Sequence, residues 1–378
     1  MCVRILAFGT YDVRVHPRVG VLIEGLRANG DELVEVNVPL GLDTASRVAM
    51  LRQPWRLPAG AVRLARCWAL LAVRGRRAYR RRPPDAVLVG YLGHFDVQLA
   101  RLLFRGSTIV LDHLVFAADT AADRGESGSV KMRLLGALDR RALRSADLIL
   151  VDTAEHAALV PATDEAMVIP VGAPTAWFDA GSAVGPRVDP DVLRVVFFGL
   201  FSPLQGTPTI GRALGLLADT PQVHVLMIGT GQDLAETRRL AEPNPAVRWI
   251  DWVPSAELPS VIAEHDVCLG IFGVGPKALR VVPNKVYQGA AAGCAVITSD
   301  TLPQREALGD AAVLVPPGDA NALADALRTL AKDAPALAEL RATARNRARE
   351  RFAPAVVVTG LRTRLAGSGR PIPGGSHR

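Results

Sequence analysis

Residues 275–295, GPKALRVVPNKVYQGAAAGCA, lie between two apolar segments and concentrate cationic side chains just ahead of a predicted helix. The segment VCLGIF (267–272) precedes them and AVITSD (295–300) follows them, and both predict buried strands. Pro283 and Asn284 are residue types that begin helices. Strand, loop and helix in this order form the repeating unit of an open α/β sheet.

The start of this helix is a predicted anion site. Free backbone N–H groups and the positive end of the helix dipole should face the loop that carries Lys277 and Arg280. Lys285 and Gln288 are three residues apart and share a helix face, so an ammonium and a neutral amide point the same way. The pattern favours a bound diphosphate, and the alternative is a surface helix with a solvated basic end.

Composition indicates a globular protein with an anionic partner. The 378 residues are 49% apolar and 21% charged, and this length predicts two domains. The net charge of +7 favours nucleotide diphosphates, acidic lipid headgroups or nucleic acid. Cys2, Cys67, Cys268 and Cys294 form no CxxC pair and predict reduced thiols. No leader or spanning apolar run is apparent, so we expect a cytoplasmic protein.

Short apolar segments alternate with helical patterns twice along the chain, which predicts two doubly wound parallel sheets. The predicted strands are residues 3–8, 32–38, 85–90, 107–112 and 146–152 in the first half, and residues 193–199, 222–229, 246–253, 267–272 and 295–300 in the second. Residues 180–191, rich in Gly, Pro and Ala, predict a linker between domains at 1–185 and 186–352. We expect a disordered tail at 367–378.

Glycines follow several predicted strands, where backbone N–H groups could approach a phosphate without a Cβ in the way. Gly199 and Gly206 flank one loop, and Gly229 and Gly231 lie in IGTG, for which two tight turns are the alternative. Gly9 follows the first strand, but no third glycine completes a dinucleotide fingerprint, which argues against an NAD enzyme.

The second half resembles the donor domain of retaining family 4 glycosyltransferases with the GT-B fold. The matching segments are the 199–206 loop, IGTG, WIDWVPSAELPSVIAEHDVCLGIF and PNKVYQGAAAGCAVITSD, and the first half is similar in layout through LVGYLGHFDV and ALDRRALRSADLILVDT. The resemblance implies an α/β fold of two facing Rossmann-like domains, with the ligand in the interdomain cleft. It also implies that a C-terminal helix, about 353–366, crosses back onto the first domain.

The chain departs from the family pattern at four positions. Leu200 and Gln205 stand where the family usually places an arginine and a lysine that clamp the diphosphate, and Arg280 and Gln288 stand where it places two glutamates. We predict that Lys285, Arg280 and Lys277 replace the clamp from the other side of the diphosphate.

The resemblance implies transfer of a hexose-type sugar from a nucleotide diphosphate sugar to a hydroxyl acceptor: a glycan, a lipid-linked sugar or a natural product. The reaction would be retaining and would need neither a metal nor another cofactor, since preorganised cations stabilise the leaving diphosphate. The triplet Asp189-Pro190-Asp191 lies in the linker and is interpreted as a turn. The predicted donor-binding residues are Gly199, Gln205, Gly206, Gly229, Gly231, Trp252, Val253, Asn284 and Gln288.

The first domain supplies the predicted acceptor side. Asp112 and His113 end a strand and are candidate catalytic residues beside Lys285 and Arg280, although a strand-end histidine is often only solvated. Further acceptor-side candidates are Gly9, Arg14, Arg18 and His94. A helix-start charge pattern explains the two arginines nearly as well.

Residues 52–82 carry ten arginines, with Trp55 and Trp68 among the residues. The spacing predicts an amphipathic helix that could lie on an anionic membrane surface with tryptophan at headgroup level. A helix packed on the domain with solvated arginines is the alternative. Two other functions compete with glycosyl transfer: a non-catalytic auxiliary protein, which the missing glutamates favour, and nucleic-acid binding, which we set aside because no nucleic-acid module occurs.

Overall fold

Parallel strand pairing organises the chain into two six-stranded sheets. The computed structural model describes residues 2–13, 16–41, 57–90, 93–114, 116–117, 129–185 and 191–367. Within these residues every paired strand is parallel. The strand orders are β2-β1-β3-β4-β5-β6 and β12-β11-β10-β7-β8-β9, so the chain is wound in both directions from the middle of each sheet.

The first sheet is covered by helices on both faces. Its strands are β1 (Arg4–Gly9), β2 (Glu32–Asn37), β3 (Ala86–Val89), β4 (Thr108–Asp112), β5 (Leu148–Val151) and β6 (Ala166–Val168). The helices between and after them are α1 (Pro17–Ala28), α2 (Leu57–Arg81), α3 (Asp96–Leu103), α4 (Ser129–Leu143), α5 (Ala154–Ala157) and α6 (Thr175–Ala183).

The second sheet repeats the alternation. Its strands are β7 (Leu193–Phe198), β8 (Val223–Ile228), β9 (Val247–Ile250), β10 (Val267–Leu269), β11 (Ala295–Ser299) and β12 (Val313–Val315). Its helices are α7 (Thr207–Leu216), α8 (Leu234–Ala241), α9 (Leu258–Ala263), α10 (Asn284–Ala291), α11 (Leu302–Leu308), α12 (Ala320–Lys332) and α13 (Ala334–Arg351). Two short helices, α14 (Pro354–Val357) and α15 (Thr359–Gly367), follow.

Alternation of side chains along β1 places neighbouring residues in different cores. Ile5 packs with α1 on one face of the sheet, and Leu6 packs on the other face, where α2, α3 and α4 lie. Because both faces are covered, the inner strands β3 and β5 are apolar along their length, as expected for parallel sheets.

The last two helices lie against the first domain. Val358 and Leu361 share a core cluster with Ile5. The Arg362 guanidinium pairs with the buried Asp31 carboxylate at 2.6 Å, and α14 lies beside α1. The strand β1 and the helices α14 and α15 therefore belong to the same domain.

Helix α6 packs on the second domain, and its last residues, 180–183, are helical where the sequence predicted linker. Trp177 of α6 stacks on Phe198 with ring centroids 5.5 Å apart. Gly181 approaches so closely that a Cβ there would lie 2.6 Å from the carbonyl carbon of Ala292. Residues 186–190, which include Asp189 and Pro190, lie outside the described residues.

The structure confirms the predicted fold class, two doubly wound Rossmann-like sheets that face each other. It adds β6 and β12, which the sequence did not predict. Both strands are only three residues long and β6 is mostly exposed, so each offers only a short sequence signal.

Helix α2 confirms a long helix within 52–82 but corrects the predicted orientation of Trp68. Its indole Nε1 donates a hydrogen bond to Asp96 Oδ1 at 2.8 Å, and its ring packs on the core that contains Leu71. Trp68 therefore faces the protein and not a headgroup layer. Trp55 lies outside the described residues.

Helices α7 and α8 touch through glycine, which gives a test of the packing. A Cβ on Gly211 would lie 2.6 Å from the Thr237 carbonyl oxygen, so we expect Gly211→Ala to destabilise the protein by about 2 kcal/mol. Chemical denaturation would measure the loss. Gly136→Ala in α4 is the matched control, because only the flexible Arg140 side chain lies near its Cβ. Equal stability of the two variants would contradict this account of the α7–α8 contact.

Candidate functional site

The loop after β7 forms the first wall of the predicted donor site. A single 3₁₀ turn, Pro203–Gln205, leads to Gly206, whose φ of 62° lies in the left-handed region. A Cβ on Gly206 would lie 2.3 Å from the Gly273 nitrogen, so this loop rests directly on the backbone that follows β10. Glycine is therefore required here by both conformation and contact.

The IGTG loop packs against the same wall. A Cβ on Gly229 would lie 1.9 Å from the Gly199 carbonyl oxygen, and one on Gly231 would lie 2.2 Å from the Phe201 carbonyl oxygen. Both glycines are explained by backbone contact, which agrees with the tight-turn alternative. Their assignment to donor binding stays a prediction.

Lys285 is buried behind the 199–206 loop. Its side chain extends from the second residue of α10, and only 4% of the residue is exposed. The Nζ ammonium donates a hydrogen bond to Gln205 Oε1 at 2.5 Å and lies 3.6 Å from the centroid of the Phe197 ring. It also borders Gly199, where an added Cβ would lie 3.1 Å from Nζ. Gln205 and Lys285, which are 80 positions apart in the sequence, thus meet so that the ammonium lies directly under the 199–206 loop.

Burial changes the acid–base behaviour of this lysine. Desolvation lowers the pKa of Lys285 to about 7, and the neighbouring Cys268 thiol opposes the shift only partly. The amine therefore exchanges its proton near neutral pH, and a bound anion would favour its charged form.

The other donor-side candidates differ in exposure. Gln288 is buried on α10, and Asn284 at the start of that helix is exposed. Trp252, two residues after β9, is 73% exposed, and Val253 packs partly on the core. The structure brings Gln205 and Lys285 into contact and leaves the indole of Trp252 open to solvent.

Arg280 lies where the two domains meet. Its carbonyl oxygen accepts a hydrogen bond from the Thr153 hydroxyl at 2.8 Å, and Thr153 follows β5 of the first domain. Arg280 is half-buried and ends the 3₁₀ turn Ala278–Arg280. This contact places the start of α5 beside the loop that carries the predicted catalytic cation.

Asp112 and Arg18 form a buried ion pair, which changes the interpretation of both. Arg18 Nε lies 2.7 Å from Asp112 Oδ1, and Arg18 also donates to the Ile169 carbonyl oxygen at 2.8 Å. Burial raises the pKa of Asp112, and the Arg18 guanidinium opposes that rise. Arg18 is only 1% exposed, so it joins α1 to β4 and β6 and does not present a cation to an acceptor. Arg14 lies outside the described residues.

His113 lies in a buried cluster with His94 and Asp139. His94 Nε2 is 2.9 Å from Asp139 Oδ1, and the two imidazole centroids are 4.9 Å apart. Burial and the neighbouring His94 lower the pKa of His113 to about 3, so its imidazole is neutral near pH 7 and cannot act as a cationic acid. One ligand atom from each of the three residues lies within 4.8 Å of the others, close enough to hold a metal ion.

Two buried carboxylates were not predicted from the sequence. Asp96 Oδ2 accepts hydrogen bonds from the Thr10 nitrogen and hydroxyl, both at 2.7 Å, beside Gly9. Asp152 Oδ1 lies 2.5 Å from His156 Nδ1, just before α5. Asp152 does follow a predicted strand, which is a usable signal, whereas Asp96 is only one charge in a mixed segment.

A known protein family matches the second domain of the chain. Residues 193–333, fewer than half of the chain, match the family model described as Glycosyl transferases group 1. No curated protein sequence matches the chain.

Solved structures resemble the chain over nearly its full length. Sucrose-phosphate synthase from Thermosynechococcus elongatus is 16% identical with a TM-score of 0.68, over 96% of this chain and 99% of that one. HepE of Anabaena in complex with UDP is 15% identical with a TM-score of 0.65, over 97% and 100%. An α,α-trehalose-phosphate synthase (UDP-forming) from Burkholderia vietnamiensis is 14% identical with a TM-score of 0.64, over 97% of each chain.

These likenesses show a shared fold, and the family match covers the half that carries Lys285 and the glycine loops. They agree with the predicted resemblance: the chain has the GT-B fold, and residues 193–333 of its second domain match the family model of the group 1 glycosyl transferases.

Proposed function

We propose that this glycosyltransferase moves a hexose-type sugar from a nucleotide diphosphate sugar to a hydroxyl acceptor, with Lys285 as the cation for the diphosphate. The observation that carries the proposal is the buried Lys285 ammonium beneath the 199–206 loop, 2.5 Å from Gln205. Gln205 occupies the position at which the resemblance expects a lysine. An ammonium from α10 therefore reaches the point where the usual clamp would end.

The chemistry requires a fixed positive charge at this point. Breaking the bond between the anomeric carbon and the diphosphate develops negative charge on the leaving oxygen, and a preorganised ammonium stabilises that charge without reorganising. Burial strengthens the effect, because little water competes for the ammonium. We infer a metal-independent reaction in which the acceptor attacks on the face that the leaving group departs, with retention.

Uridine diphosphate sugars are the first donors to test. HepE, a fold neighbour, has been solved with UDP and with UDP-glucose, in each case near 15% identity. The identity is too low to transfer a ligand, but a common fold supports the choice of probe.

The acceptor would meet the donor from the first domain. The neutral His113 imidazole could only exchange hydrogen bonds with a hydroxyl, and it could not deliver a proton as an imidazolium. Glycan, lipid-linked and natural-product acceptors fit this chemistry equally.

A non-catalytic auxiliary protein is the second candidate. Arg280 and Gln288 replace two carboxylates of the family pattern, and buried Gln288 offers only a neutral amide. This protein would bind the nucleotide without turning it over.

Replacing Lys285 by methionine tests the donor site. We expect Lys285→Met to lose about 2 kcal/mol of affinity for a uridine diphosphate sugar, roughly thirtyfold in Kd, because the diphosphate loses its charged donor. Its Tm should be equal to or above that of the native protein, because a buried cation is replaced by an apolar side chain of similar length. Calorimetric titration and thermal shift with UDP, GDP, dTDP, ADP, CMP and their sugar conjugates would measure both quantities.

Lys332→Met is the matched control, because Lys332 is exposed at the end of α12. A Lys285→Met variant that binds the nucleotide sugar with the Kd of the native protein would contradict the role proposed for Lys285. Donor binding without turnover in the native protein, across a panel of acceptors, would instead support the auxiliary function.

Donor affinity should depend on pH through the same amine. Burial lowers the pKa of Lys285 to about 7. In the ligand-free protein the Lys285 amine is therefore charged below this pH and increasingly neutral above it. The Kd should therefore be constant below about pH 6 and rise by up to about tenfold per unit above pH 7. Titration of UDP-glucose in two buffers of different ionisation enthalpy should show proton uptake that is largest between about pH 7 and pH 8.5, where the free amine is mostly neutral and the bound amine is mostly charged. A flat affinity over this range, or an unchanged slope in Lys285→Met, would contradict the assignment.

A further inference from the structure

Three helices cover one face of the first sheet and present an almost purely basic outer surface. Helices α2, α3 and α4 contribute Leu71, Val97, Ala100 and Ala142 to the core beneath them. The three helices contain only two acidic residues, Asp96 and Asp139, and both are buried. Exposed cations on α2 include Arg66, Arg74 and Arg77. The outward charge of this layer is therefore not offset by carboxylates of its own helices.

A groove between α3 and α4 concentrates this charge. It has a volume of about 860 Å³ and is lined by five arginines, Arg101, Arg105, Arg140, Arg141 and Arg144. Gln98, Leu102, Ala137 and Ser145 complete its walls. Five guanidinium groups around one groove give it a positive potential that attracts anions.

Two of the arginines are held in place by the protein. Arg101 donates to the Ser145 carbonyl oxygen and pairs with Asp147 at 2.7 Å, and Arg141 donates to Gln98 Oε1 at 2.7 Å. In the described part of the chain, no side-chain hydrogen bond or ion pair is recorded for the other three, Arg105, Arg140 and Arg144. Their charges are available to an external anion.

Exposed apolar side chains lie beside the groove. Leu102 of α3 is 59% exposed, and Val130 and Leu134 of α4 are 70% and 67% exposed. Guanidinium groups with neighbouring aliphatic side chains on the outside of a helix layer suit a bilayer surface, where headgroup phosphates and acyl chains are close together. Among the described helices none is long and apolar enough to span a bilayer.

The groove lies at the amino ends of strands of the first sheet, whereas the donor loops belong to the second sheet. Arg101 and Arg105 lie at the end of α3, just before β4 begins, and Arg141 and Arg144 lie at the end of α4, just before β5 begins. The donor loops follow the opposite, carboxyl ends of strands. An arginine near a helix C-terminus also stabilises the helix dipole. One or two arginines at each helix end would be enough for that role, which leaves the others in the groove unexplained by it.

We propose that the α3–α4 groove binds the phosphate of an anionic lipid headgroup and docks the first domain on an anionic bilayer. This places the membrane contact on the groove and its apolar border, and not on α2 alone. The proposal does not depend on glycosyl transfer, since the groove shares no residue with the donor site.

Vesicle flotation tests the proposal directly. The native protein should float with vesicles of phosphatidylcholine and phosphatidylglycerol at about 0.15 M salt, and should stay unbound with phosphatidylcholine alone. Because each basic residue near such a surface contributes about fivefold, Arg140→Gln/Arg144→Gln should lower the partition coefficient by roughly 25-fold. Its affinity for UDP-glucose should stay at the native value.

Two variants with the same loss of charge serve as controls. Arg239→Gln/Arg349→Gln removes two exposed arginines of the second domain and should bind vesicles like the native protein. Arg66→Gln/Arg77→Gln alters α2 and should weaken binding less than the groove variant. A larger loss in the α2 variant, or no loss in the groove variant, would overturn the proposal.

Competition separates the sources of phosphate. Inorganic phosphate and duplex DNA would each be titrated against the vesicle-bound protein. The two competitors are compared at equal concentrations of phosphate. If neither displaces the protein from the vesicles, the result supports a bilayer ligand. Displacement by phosphate alone would mean a free-anion site, and stronger binding to DNA would mean a nucleic-acid surface, and both would overturn the proposal.

Discussion

Backbone crowding at the carboxyl end of the second sheet is the constraint on which the candidate site depends. The Gly199 carbonyl oxygen stands where a Cβ on residue 229 would have to be, and the 206 and 273 backbones meet in the same way. Because no side chains separate these backbones, the loops form a thin layer between solvent and the residues beneath them. The Lys285 ammonium reaches that layer from α10 and lies 3.1 Å from the place of a Cβ on Gly199, so glycine leaves room for it there. Tight packing of the backbone is thus what allows a buried charge to act at a surface loop.

Main-chain contacts and a glycine also join the two domains. A hydroxyl at the start of α5 binds the Arg280 carbonyl oxygen, and α6 packs on α10 through Gly181 and Trp177. The loop that carries Arg280 is therefore attached to the first domain through its main chain. Charges that must not move, such as Arg18 with Asp112, are instead kept fully inside one domain.

The sequence was sufficient for the alternation of strands and helices, because apolar runs and helix boundaries are local signals. Helix α10 was predicted for that reason, from the helix-starting residues Pro283 and Asn284. The pairing of Lys285 with Gln205 and of Arg18 with Asp112 was not predictable in detail, since the partners lie 80 and 94 residues apart. Strand-end position suggested that Asp112 faced a cleft, and only tertiary packing shows the guanidinium that holds it.

The return of the C-terminal helices to the first domain has a consequence for biosynthesis. Leu22 and Leu26 of α1 share their core with Leu361 and Leu365, which leave the ribosome some 340 residues later. During translation the second domain can complete its own core while the first still exposes an apolar groove along α1. A chain that stops before α14 would keep that groove open, and chaperones or proteases would recognise it as unfinished.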